Sequence, residues 1–265
     1  MTDGATDVRR EVPLTAILVA VVVALAETLG GWALAGGIGL GLDPIGLVLV
    51  GLSVAVGRPA RAGSAAGLLA AGALLGDWSG GVVHAVAGFV ATALAVRLWP
   101  RRDGDGSGRV GVPAWLLRYG FVAAVAVLAF AATSAWLSDV IGRATFAVTV
   151  RRTVLTALPP ALLGAPLVRP VVQRASGRPW RDPGAPIPRR SRVLLAATVA
   201  CWTLGGYVGS FLFRALELAP PGSVGRRISP AFEAFVALWG PGGTYAQLLL
   251  GMAAVAVLTV LLRRE

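Results

Sequence analysis

The stretch Leu116–Leu137, LLRYGFVAAVAVLAFAATSAWL, decides the fold class. It carries one charge, Arg118, close to its start, and it contains no proline. At about 1.5 Å per residue, a helix of this length crosses a hydrocarbon layer of about 30 Å. Lipid offers no water to backbone N–H and C=O groups, so they must bond within the segment, and a helix is the form that does this.

Comparable runs lie on both sides: Pro13–Leu34, Ile38–Val56, Gly63–Gly76 and Gly81–Leu98 before it, then 145–168, Val193–Phe213 and Tyr245–Leu262 after it. With 56% hydrophobic residues, 14% charged ones and a mean hydropathy of +0.74, the chain has more apolar surface than a soluble core can bury. These features predict an all-α polytopic membrane bundle of about eight transmembrane helices in a single domain. Flexible cytoplasmic loops are expected at 99–112 and 169–192, the first built on an Asp-Gly-Asp-Gly-Ser-Gly core.

A net charge of +11 would suggest nucleic acid in a soluble protein. Here the basic residues, all Arg, fall at the ends of apolar runs without interleaved aromatics, which points to lipid headgroups and excludes nucleic acid. Placing both termini in the cytoplasm puts eighteen of the 24 Arg on the cytoplasmic side. The tryptophans agree, with Trp99 and Trp115 at the inner boundary and Trp32, Trp78, Trp136 and Trp239 at the outer one. Arg9-Arg10 followed by Ala24-Leu25-Ala26 imitates a signal peptide, but the apolar character continues past Ala26, as in a retained anchor.

Small residues at four-residue spacing, Gly63/Gly67, Gly72/Gly76 and Gly205/Gly209, predict close helix contacts. Pro159-Pro160 is expected to break or kink the sixth run. That run and the short third one are candidates for the discontinuous helices of transporters. The single cysteine, Cys201, reads as a small buried hydrophobe. One Cys and one His cannot build a metal cluster or redox pair, and no phosphate loop, dinucleotide fingerprint or nucleophile elbow is present. The expectation is therefore a protein that is not an enzyme; no cofactor is indicated.

Ionisable groups in apolar runs are costly, so they mark candidate sites. Glu27, Asp43, Asp77 and His84 fall near one level, where they could line an outward-facing vestibule for a cation, proton or polar solute. Asp43 before Pro44 and Asp77 at a loop also suit helix starts and turns. Glu27 and His84 have no such simple explanation. Arg151 and Arg152 become intramembrane cations, able to meet an anionic substrate or Glu27, if the sixth helix begins before them. The candidate polar membrane site is thus Glu27, Asp77, His84, Arg151 and Arg152.

The stretch from Asp43-Pro44-Ile45-Gly46 through Gly57-Arg58-Pro59 to Gly67, with His84-Ala85-Val86-Ala87-Gly88-Phe89 running into Arg97, resembles MASE1-type bacterial membrane sensor domains. The same region resembles the S-components of energy-coupling factor vitamin transporters and the MreD cell-shape family. The first resemblance implies an eight-span sensor, the second a solute-binding subunit. The reading favoured by the residues is a transport-type solute-binding component of the cell membrane, with partner subunits at the Arg-rich loop 169–192. The alternative is a sensor or assembly subunit that carries no solute.

Overall fold

The computed structural model describes residues 4–35, 42–99, 112–175, 188–217 and 243–263. Within them all regular structure is helical: α1 (Gly4–Ala35), α2 (Ile45–Val56), α3 (Pro59–Leu74), α4 (Trp78–Leu98), α5 (Val112–Val140), α6 (Phe146–Leu163), α7 (Ala165–Ala175), α8 (Arg189–Glu217) and α9 (Thr244–Arg263). Five of these helices, α4, α5, α6, α8 and α9, contain segments long and apolar enough to cross a membrane, the build of a multi-pass membrane protein.

Several expected boundaries shift. Arg169 lies within α7, and α8 already begins at Arg189, so the polar stretch 169–192 is helical at both its ends. Residues 100–111, 176–187 and 218–242, which hold the expected linker, the middle of the Arg-rich segment and Trp239, lie outside the described residues. Pro59 starts α3 at its first turn, where a missing N–H costs nothing. Cys201 faces outward from α8, contrary to the buried position expected for it, because the helical phase turns its neighbour Trp202 inward, where it packs edge-on against Trp136.

Glycines set the tightest seams. A Cβ at Gly63 would stand 2.5 Å from the Ala16 carbonyl oxygen, and one at Gly67 would collide with that of Ala20, so α3 lies backbone-to-backbone on α1. Gly72 meets Gly81 of α4 in the same way. Gly76 does not pack but ends α3 with φ +71°. Gly205 and Gly209 face Leu250 and Gln247 of α9 at looser spacing, and the close contact on α8 is Gly206 against the Phe146 ring. The buried hydroxyls of Ser53, Thr92 and Thr203 bond back one turn, to the carbonyls of Leu49, Gly88 and Val199, so these three need no partner on another helix.

From α3 onward, successive long helices neighbour one another: α3 packs on α1 and α4, α4 on α5, α5 on α6, while α8 and α9 pair and lean on α5. At the centre is α2, which touches α1, α3, α4, α5, α6 and α7, and none of its twelve residues is exposed. Twelve residues extend about 18 Å, well short of a bilayer core. The apolar run from Ile38 predicted a longer helix, whereas α2 begins only after Asp43-Pro44.

The expected break at Pro159-Pro160 is absent: both prolines lie inside α6, and the interruption falls at Gly164, before α7. Lacking N–H groups, the prolines cannot bond to the carbonyls of Leu155 and Thr156, four residues earlier. The Thr156 carbonyl instead accepts a hydrogen bond from the backbone N–H of Asp43 at 2.9 Å. Beside it, a Cβ on Gly46 would stand 2.5 Å from the Ala157 carbonyl oxygen. The two prolines thus create a place on α6 where the start of α2 docks, about 15 Å along the helix from Phe146.

Candidate functional site

On α4, the outward residues Val82, Val86 and Phe89 lie opposite the buried Ala87, Ala91, Leu94 and Ala95. At 3.6 residues per turn, His84 is rotated about 200° from Val82, so it points into the bundle. Even so, 41% of its side chain is accessible, against 15% for Glu27. His84 is therefore partly accessible although it lies on the face of α4 that packs into the bundle.

Glu27 comes from the inward half of α1. Its Oε1 lies 2.9 Å from His84 Nδ1, joining two helices across 57 residues of sequence. The Phe130 ring of α5 packs against the imidazole at 5.7 Å. A carboxylate bonded to Nδ1 holds the proton on that nitrogen and leaves Nε2 directed elsewhere. The half-buried Asp43 completes the group. Its Oδ1 accepts the Ile45 N–H at 2.9 Å, and Asp43-Pro44 rests against Gly30 of α1. The charges of Glu27, His84 and Arg152 all act on Asp43.

Asp77 follows a different geometry. Both α3 and α5 end in a left-handed glycine, Gly76 and Gly142, each with φ +71°. In each corner the next residue's N–H bonds back five residues, Asp77 to Gly72 and Arg143 to Ser138, at 2.8 Å in both. Those two residues then bond to each other. Arg143 donates from both terminal nitrogens to the two Asp77 carboxylate oxygens at 2.6 Å, and it also reaches the Ser79 hydroxyl. Asp77 caps α4 as well, accepting the Gly80 N–H at 3.0 Å. The Arg143 guanidinium, helped by that N–H, holds the Asp77 carboxyl well below the usual carboxylate range, and the same pairing pushes Arg143 further up. The result is an exposed clasp between the α3–α4 and α5–α6 corners, roughly two turns of α4 above His84.

The structure thus brings Glu27 and His84 together and sets Asp77 apart in the clasp. Helix α6 begins at Phe146, so Arg151 and Arg152 do lie within it, but both are exposed on the side that carries Val148 and Leu155. The partner of Glu27 is His84 and not an arginine, since helical phase turns Arg151 and Arg152 outward. Of the two, Arg152 retains an electrostatic link to Asp43. Asp43 belongs to the site although the Asp-Pro pair reads as an ordinary helix start. The signal that could have revealed it is the proline pair, which frees α6 carbonyls in the middle of an apolar run.

Among the described residues, no group of three or more His, Cys, Asp or Glu side chains is placed to hold a metal ion. No protein-family model, no curated protein and no solved structure matches the chain.

Proposed function

We propose that this chain is a transport-type, solute-binding component of the cell membrane, with about eight crossings, both termini in the cytoplasm and the Asp77–Arg143 clasp on the outer face. The distribution of Arg supports the orientation, because short loops rich in Arg stay inside. In this arrangement α2 and its Asp43-Pro44 lead-in form a discontinuous second crossing, and Arg-rich segments flanking α7 and α8 meet partner subunits in the cytoplasm.

One observation carries the functional reading: the central helix α2 starts inside the bundle beside Glu27, His84 and Asp43. Transporters place such half-helices where substrate and coupling ions bind, since irregular backbone at membrane depth is tolerated only where it is enclosed by protein or lines a cavity. A purely structural bundle gains nothing from three ionisable groups in its interior, each of which carries a desolvation cost. The lone histidine is engaged by Glu27 and the lone cysteine faces outward, so the groups present suit binding better than covalent catalysis.

Native mass spectrometry of the purified full chain, run beside the Glu27→Gln variant, tests this reading. A small molecule retained by the wild-type protein and lost from the equally well-inserted variant is the expected result. A wild-type chain that carries no small molecule and purifies only as a stable heteromer would favour a sensor or assembly role instead.

A further inference from the structure

Resting on the solute-binding reading proposed above, we infer that Glu27 and His84 form a proton-exchange site, with His84 Nε2 as the atom that meets water and Glu27 as the residue positioning the ring. Three features of the geometry lead there. The Nδ1 edge is occupied by Glu27, at 2.9 Å, so a ligand can reach the imidazole only through Nε2. The ring points inward on α4 yet is 41% accessible. Finally, Glu27, His84 and Asp43 are not placed as a metal-ligand set, and a proton needs no larger cavity than an open nitrogen.

The groups acting on His84 are Glu27 from α1, Asp43 from the lead-in to α2 and Asp77 from the head of α4, while α5 presents the Phe130 ring. All three charged neighbours are carboxylates, of which Asp77 is paired with Arg143, while Arg152 of α6 acts on Asp43.

The step is simple to balance. A hydronium ion or buffer acid gives its proton to the Nε2 lone pair and leaves as water or the conjugate base. The ring becomes an imidazolium, and its Nδ1 proton either stays or passes along the hydrogen bond to Glu27 Oε1. In the second case the ring is neutral again with its proton on Nε2, and the glutamate is neutral too. No electrons are transferred and no other bond changes. The two outcomes differ in where the proton sits, which gives the pair a way to carry a proton from Nε2 toward α1.

Because the chain has one histidine, nitrogen NMR of ¹⁵N-histidine-labelled full-length protein in lipid nanodiscs reads this site alone. In alkaline solution the expected form has the proton on Nδ1 and a bare Nε2, and stepwise acidification adds a proton at Nε2. Glu27→Gln should reduce the preference for the Nδ1–H form at least threefold. Asp43→Asn, which keeps an oxygen for Ile45, should leave that preference in place. A His84 that holds one protonation state throughout, or a preference lost equally in both variants, overturns the inference. The measurement uses no solute, so its outcome is independent of whether the purified chain carries a bound molecule.

Discussion

The carbonyl of Thr156 accepts the backbone N–H of Asp43 at 2.9 Å, and it is free to do so because Pro160, four residues on, has no N–H to offer. A residue pair that looks like a helix defect is therefore the anchor for the start of the central helix. Pro160→Ala would restore a competing donor. By propensity alone the change favours helix α6, yet the Asp43 amide should lose its partner. Hydrogen–deuterium exchange at that amide is expected to quicken by about fivefold, the loss of roughly 1 kcal/mol of hydrogen bonding. Unchanged exchange would mean the docking does not depend on the proline.

The α1–α3 seam makes a contrast between two glycines. Gly67→Ala places a methyl against the Ala20 carbonyl and 2.8 Å from Val23 Cβ, whereas the nearest atom to a Cβ on Gly120 is Leu162 Cδ2 at 3.9 Å. The first change should destabilise the protein by about 1–3 kcal/mol. The second should leave stability unchanged or raise it by up to about 1 kcal/mol, through loss of backbone freedom in the unfolded chain. Unfolding in mixed micelles measures both, and equal effects would place the seam elsewhere.

The Asp77–Arg143 clasp is exposed, so it should register in a double-mutant cycle of Asp77→Asn and Arg143→Gln as less than about 1 kcal/mol, and weaken with salt. Its pH dependence follows from the lowered Asp77 value. A carboxylate depressed on folding contributes fully above its ordinary value near 4, and the contribution fades only as pH falls through the lower, folded value. The coupling should therefore be the same at about pH 7 and pH 5. A coupling already gone at the higher of these would mean the carboxylate is not held by Arg143.

How much of this was legible in the sequence depends on range. The apolar runs, the Gly63/Gly67 seam and the prominence of Glu27 and His84 follow from local composition and from the cost of charge in lipid. Their pairing does not, because nothing local specifies which inward residues of α1 and α4 meet across 57 positions. The length of α2 was hidden because apolar residues before Asp43 continue the run without a change in character. The direction of Arg151 and Arg152 stays open in the sequence for a related reason: the start of α6 sets their phase, and Thr145 makes no side-chain cap to mark it.

The central claim is that an aqueous opening reaches His84 inside the bundle. It can be tested by placing single cysteines at positions 82, 84 and 86 in a Cys201→Ala background, since Cys201 is itself exposed. The protein is reconstituted in vesicles and treated with a membrane-impermeant, thiol-reactive reagent. His84→Cys should react at least tenfold faster than Val82→Cys or Val86→Cys, which bracket it in depth but sit on the outward face of α4. Reactivity that merely declines with depth from 82 to 86, or a position 84 as inert as its neighbours, would contradict an internal opening.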